Sequence, residues 1–180
     1  FGFLLPHSGD LFLYLSTSEV TSDFIVDGLE DLWQTTLHPR FPLVNTLVLN
    51  LDNGPENHSR RTHHGLKRLV EFVAKHQITI RLAYYPPYHS KYNPIEHCWG
   101  SLEQHWNGTL LDELDTVLKF AQSLTWRGKH PVVKLVTTIY ETGVRLTQAA
   151  MAVLETQIKR LPSLEKWFVE ISPATLIADT

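Results

Sequence analysis

A chain of 180 residues, 43% hydrophobic and 19% charged, is long enough for one well-cored domain and too short for two full ones. Its one cysteine, Cys98, excludes an internal disulfide framework and fits a reducing compartment. No apolar run approaches the roughly 20 residues that span a bilayer, and the opening FGFLL meets Pro6 before it reaches signal-segment length. The expectation is a soluble, cytoplasmic protein with no membrane partner. The net charge of −3 conceals a division along the chain. Residues 1–56 hold one basic residue, Arg40, against eight acids, whereas residues 57–91 hold seven basic residues and five histidines against Glu71 alone. A basic block of this kind is a usual footprint for a phosphate-bearing partner; the plainer reading is a solvated helix face.

Phe1–Leu5 and Leu11–Thr17 read as two strands joined by the turn Pro6–Asp10, which makes Asp10 a turn residue. A helix is expected from about Ser22 to Gln34, with Thr21 or Ser22 as its cap and Ile25, Leu29, Leu32 and Trp33 on one apolar stripe. Asn45 to Asn57, NTLVLNLDNGPEN, reads as a strand running directly into a turn, with Asp52 at its end. Its nearly unbroken apolar run suits a strand covered on both sides at the centre of an α/β sheet. Asn53-Gly54-Pro55 stops that strand.

Ser59 to about Gln77 reads as a helix buried through Leu66, Leu69, Val70 and Val73, with Arg60, Arg61, Lys67, Arg68 and Lys75 off that stripe. Ile78–Tyr85 alternates as the next strand, and Pro86–Tyr92 forms a stiff loop of aromatic and basic residues, a mixture that stacks on bases and touches phosphates. Asn93-Pro94 is a strong helix start, and Ile95, Cys98, Trp99, Leu102 and Trp106 make the core stripe of a helix ending near Trp106. Glu96 flanks that stripe. Asn93 and Glu96 also have capping-box spacing, so a purely structural role competes with a chemical one. A further helix is expected over about Asp112–Thr125 and another from about Gln148 to Leu161, ended by Pro162. The remaining residues read as a docked tail.

Two carboxylates near one sheet edge, beside a basic surface, suit metal-assisted phosphodiester chemistry, because Mg²⁺ is a hard ion that takes carboxylate oxygens. LVLNLDNGPEN followed some forty residues later by YYPPYHSKYNPIEHCWG resembles the catalytic domain of bacterial insertion-sequence DDE transposases. The resemblance extends to the opening hairpin, SEVTSDFIVDGLEDLW and HWNGTLLDELDTVLKFAQSLTW. It implies an RNase H-like (integrase-like) α/β fold, a mixed sheet flanked by helices. Residues 1–126 would then form the catalytic core and 127–180 a helical extension packed on it.

By the same resemblance, Asp52 matches the second carboxylate of the catalytic triad and Glu96 the third, together holding Mg²⁺ or Mn²⁺, two ions in an intact site. The reaction implied is DNA strand cleavage followed by strand transfer, with transposon ends and target DNA as partners and a homo-oligomer as a further expectation. Arg60, Arg61, Lys67, His89, Lys91 and Tyr92 would contact DNA, with Asn53, Asn93 and His97 in support. In this family the first carboxylate lies on a strand just before the hairpin that opens this chain, and no residue here matches it. The expectation is therefore a C-terminal fragment, or the product of a truncated gene, that retains two of three metal ligands. Its rivals are an inactive remnant that only binds DNA or a partner, another RNase H-like nuclease or integrase, and an unrelated α/β domain in which both acids are caps.

Overall fold

The alternating runs on either side of Pro6–Asp10 form the expected hairpin in the computed structural model, which describes residues 1–51, 63–86, 89–108 and 113–177. In chain order, β1 (Gly2–Leu5) and β2 (Asp10–Ser16) lead to α1 (Ser22–Leu32), a π-helical turn over Trp33–Leu37 and the short α2 (His38–Arg40). Next come β3 (Thr46–Leu51), α3 (His63–His76), β4 (Thr79–Tyr84), a 3₁₀ turn over Ser90–Tyr92, α4 (Pro94–Trp106) and α5 (Leu114–Ser123). The chain closes with β5 (Val132–Val136), α6 (Gln148–Thr156), β6 (Lys159–Arg160), β7 (Phe168–Ile171) and α7 (Pro173–Ile177).

These elements fall into two compact units, each assembled from two separate stretches of chain. The first comprises Phe1–Val20 and Tyr88–Ile139. Its sheet runs β1-β2-β5, antiparallel between β1 and β2 and parallel between β2 and β5. The turn at Pro6–Asp10 is closed by Gly9, at φ +73°, whose N–H donates to the Leu5 carbonyl at 2.8 Å. Ser8 and Lys129 both donate to Asp10, at 2.6 and 2.7 Å; Asp10, expected in the turn, instead opens β2 and pairs with Leu5. Leu11 and Leu13 of β2, Cys98 and Leu102 of α4, and Ala121 and Leu124 around α5 make the core of this unit. Gly2 sets how closely α4 rests on β1, since a Cβ there would meet the Trp99 ring at 2.8 Å. Burial also pushes the Cys98 thiol up to about 11, so the residue is inert core.

The second unit comprises Thr21–Pro87 and Tyr140–Thr180. Its sheet runs β3-β4-β7-β6, with β3 and β4 parallel and the other pairs antiparallel. Thr21 caps α1 by accepting the Phe24 N–H at 3.3 Å, and Thr147 caps α6 by accepting that of Ala150 at 3.2 Å. The expected stripe of α3 is buried throughout, joined by Phe72, and Ile80, Leu82 and Ile171 are fully buried in the sheet.

The architecture is mixed α/β, two mixed sheets flanked by helices, and is compatible with the RNase H-like fold that the sequence implied. Two expectations change. β3 is not a central strand covered on both faces; it lies at the edge of its sheet, with Val48 56% exposed and Leu47, Leu49 and Leu51 only half-buried. An apolar run reports strand propensity and burial demand, and it does not report which neighbours are present to meet that demand. Residues 127–180 are also more than a helical extension. They supply β5 to the first sheet and β6 and β7 to the second, and α6 stops at Thr156, short of the expected Leu161, because Lys159 and Arg160 enter the ladder.

Candidate functional site

Of the two acids singled out from the sequence, Glu96 lies in α4, and Asp52 comes directly after the last residue of β3. β3 and β4 run in parallel register up to Leu51 opposite Tyr84, and the Tyr85 N–H donates to the Leu51 carbonyl at 2.9 Å. The strand ladder is thus intact to the residue before Asp52. Asp52, Asn53, Arg60 and Arg61 themselves lie outside the described residues.

Glu96 stands in the first turn of α4, half-buried, with its backbone N–H donating to the Asn93 carbonyl at 3.0 Å. Asn93 occupies the cap position in an extended conformation, φ −77° and ψ 114°, followed by Pro94 as expected. Its side chain, however, makes no capping hydrogen bond. Asn93 is buried, and the Asn93 half of the capping box is therefore not formed. The positive end of the helix dipole favours a carboxylate at the position of Glu96.

Immediately before α4, the rings of His89 and Tyr92 stack with centroids 5.9 Å apart and planes at 29°. Lys91 Nζ sits 5.0 Å over the Tyr92 ring, and Tyr92 is 62% exposed. An exposed ring next to a cation can stack on a base and meet a phosphate with the same few residues. His97 is exposed, and its carbonyl accepts the Ser101 hydroxyl at 2.9 Å as part of the helix.

Within the described part of the basic block, several side chains meet acids. Arg68 reaches across from α3 to α1, bonding Asp23 through Nη1 and Asp27 through Nη2 at 2.7 Å. His64 meets the other Asp23 oxygen at 2.8 Å, and Lys75 and His76 converge on Glu30 at 2.7 and 2.8 Å. Arg81 pairs with Glu170 of β7 at 2.7 Å, and Lys67 with Glu71 at 3.4 Å. Much of the positive block thus meets acids of the negative one. Burial raises the carboxyl pKa values of Asp23 and Glu30, but hydrogen bonds from His64 and Arg68, and from Lys75 and His76, outweigh it and hold both below their ordinary values. Complementary charge on two neighbouring helical stretches was the signal for this clamp. Lys67 is half-exposed at the surface.

A third cluster has no periodic signature in the sequence. Arg160 grips Glu155 with two hydrogen bonds, at 2.7 and 3.0 Å, across a break between helix and strand where no helical spacing advertises the pair. Among the described residues, no group of three or more histidine, cysteine or acidic side chains is arranged to hold a metal ion, and no helix is long and apolar enough to cross a membrane.

Searches of curated proteins and of solved structures gave no match. The family described as the Rhodopirellula transposase DDE domain, in contrast, matches residues 1–173, nearly the whole chain, including both acidic motifs and the strands and helices that carry them. The chain belongs to this transposase DDE domain family.

Proposed function

We propose that this domain carries out divalent-metal-dependent cleavage and strand transfer of DNA during movement of an insertion sequence. The observation that carries the proposal is family membership over residues 1–173, which makes DNA the implied partner. Asp52 and Glu96 would hold the metal. Carboxylate oxygens fit Mg²⁺ or Mn²⁺, whereas Cys98 is buried and unsuited to a soft-metal site. When bound, such ions supply Lewis acidity toward the attacking and leaving oxygens of a phosphodiester.

The chain's own residues divide the remaining work. The β3–β4 ladder brings the backbone to position 52 from a paired strand, and the N-terminus of α4 presents Glu96 from a helix anchored in a core. A ligand carried on a packed helix, as Glu96 would be, is held more tightly than one on a free loop. Buried Asn93 fixes where α4 begins, and His97 lies beside Glu96 on its outer side. His89, Lys91 and Tyr92 would hold the DNA backbone and an unstacked base next to the same helix start, with Arg60, Arg61 and Lys67 adding phosphate contacts and Asn53 orienting Asp52.

The test is Mn²⁺ titration followed by electron paramagnetic resonance on the 180-residue chain and its Asp52→Asn and Glu96→Gln variants. Each substitution is expected to weaken binding by about tenfold or more, equivalent to roughly 1.4 kcal/mol. If both are silent, neither acid is a ligand. Retention on a DNA column together with Mg²⁺-dependent nicking supports catalysis by this chain, whereas retention alone assigns it to DNA binding without chemistry.

A further inference from the structure

Several cations of the first basic block meet acids, but the chain holds a second basic stretch. Residues 116–140 carry Lys119, Arg127, Lys129 and Lys134, together with His130, and no acid. Arg127, Lys129 and His130 fall in or beside the hairpin between α5 and β5, where Trp126 and Lys129 exchange two backbone hydrogen bonds, at 2.8 and 3.0 Å. Arg127 and Gly128 make the turn itself, both at positive φ, +48° and +77°. A two-residue turn of this hand favours Asn, Asp or Gly at its first position, because an ordinary side chain crowds the backbone there. Arginine occupies that position against the preference. Its aliphatic chain lies against the neighbouring turn, where a Cβ on Gly9 would meet Arg127 Cδ at 3.0 Å. Nη1 donates to the Pro6 carbonyl at 3.3 Å, and Cζ lies 5.7 Å from the centre of the Trp126 ring. Among the described residues, Nε and Nη2 have no acceptor and no carboxylate pairs with the guanidinium.

We propose that these two joined turns, with Arg127 and Lys129 on one and His7 on the other, form a further surface that grips the phosphate backbone of duplex DNA. The proposal rests on DNA as the partner of this domain. His7, Arg127, Lys129 and His130 are all exposed. Arg127 brings a guanidinium already ordered by its turn, and its two remaining nitrogens suit neighbouring phosphate oxygens. Little side-chain freedom is then lost on binding. Lys129 Nζ donates to Asp10 at 2.7 Å and to the Ser8 carbonyl at 3.1 Å, with its side chain 53% exposed. The Ser8 hydroxyl also donates to Asp10, at 2.6 Å, so that carboxylate keeps a partner when Lys129 turns to a phosphate. Asp10 itself opposes an anion at this place, which provides a substitution of opposite sign. A purely structural Arg127, tying one turn to the other through Pro6, predicts lost stability and no change in the response to salt.

The test measures binding of the full chain to a fluorescent DNA duplex of arbitrary sequence over a range of salt concentrations. The variants are Arg127→Asn, which suits the turn and removes the fork, Lys129→Gln and Asp10→Asn. Arg127→Asn and Lys129→Gln are each expected to flatten the log–log salt dependence by about one unit. Their deficit against wild type is then about threefold larger at about 50 mM than at about 200 mM salt. Asp10→Asn is expected to raise affinity by about threefold at the lower salt, and Arg127→Asn to melt as the wild type does. Unchanged slopes in both cation variants, with Lys91→Ala still weakening binding, overturn this surface and leave DNA as the partner. Weaker binding by Arg127→Asn with a lower melting temperature and an unchanged slope makes Arg127 a tie between turns and also overturns it. A wild-type chain that binds no duplex at about 50 mM salt overturns the DNA reading itself, and this surface with it.

Discussion

Asp23 is caught between His64 and Arg68 on a neighbouring helix, and its energetics follow from that position. One oxygen faces His64 at 2.8 Å and the other faces Arg68, while burial works against the charge. The hydrogen bonds prevail, so the folded carboxyl titrates below 3.8; Glu30 behaves in the same way relative to 4.5. A depressed folded value means that the unfolded chain binds protons first as pH falls. The stability these acids contribute is therefore complete above their unfolded values and is lost as pH drops through the folded ones. Replacing Asp23 by Asn removes one charged partner from Arg68 and leaves it with Asp27 and Glu71. The expected cost near neutral pH is about 1–3 kcal/mol, from urea unfolding curves. The same curves at acid pH should show a shallower fall for Asp23→Asn than for the wild type. Parallel pH profiles would mean that Asp23 draws no stability from its charge.

At the scale of elements, the edge strand β3 is the feature with the clearest consequence. The carbonyls of Asn45 and Leu51 accept from β4, so by the two-residue alternation of the ladder Thr46, Val48 and Asn50 turn their N–H and C=O groups to the outer edge. No described strand pairs there, and the segment TLVLNL contains no charge or proline to discourage another chain. Placing Lys at position 48 should lower concentration-dependent light scattering while changing stability by no more than about 0.5 kcal/mol, because Val48 is already 56% exposed. Unchanged scattering would show that this edge does not template association. The same strand marks where sequence reasoning stops. Its apolar run was readable as a strand, and the start of α4 was readable from Asn93-Pro94, because both signals are local. The position of β3 in the sheet depends on partners elsewhere in the chain, as does the clamp between α1 and α3. β6 and β7, two and four residues long, are too short for a periodic pattern to emerge.

Across the whole molecule, each unit closes by joining stretches of chain that are distant in sequence: β2 with β5 in one, β4 with β7 in the other. The C-terminal segment, which reads from its sequence as a docked tail, is therefore part of the sheet that contains β3. β7 covers the β4 edge, buries Val169 and Ile171, and brings Glu170 to Arg81. Burial of two such side chains is worth about 1.5–3 kcal/mol each, and the ladder bonds that would be left open at a buried edge add to the loss. Against a typical domain stability of about 5–15 kcal/mol, that removes a large share. A chain ending at Ile158, without β6, β7 and α7, should lose cooperative melting of the second unit and amide protection at Ile80 and Leu82, both fully buried in the intact sheet. A chain ending at Ser172, which removes α7 and keeps both strands, should retain that protection. Hydrogen exchange on the two truncations separates the possibilities: equal protection in both would make the C-terminal strands dispensable, whereas loss confined to the shorter chain makes them a structural part of the sheet.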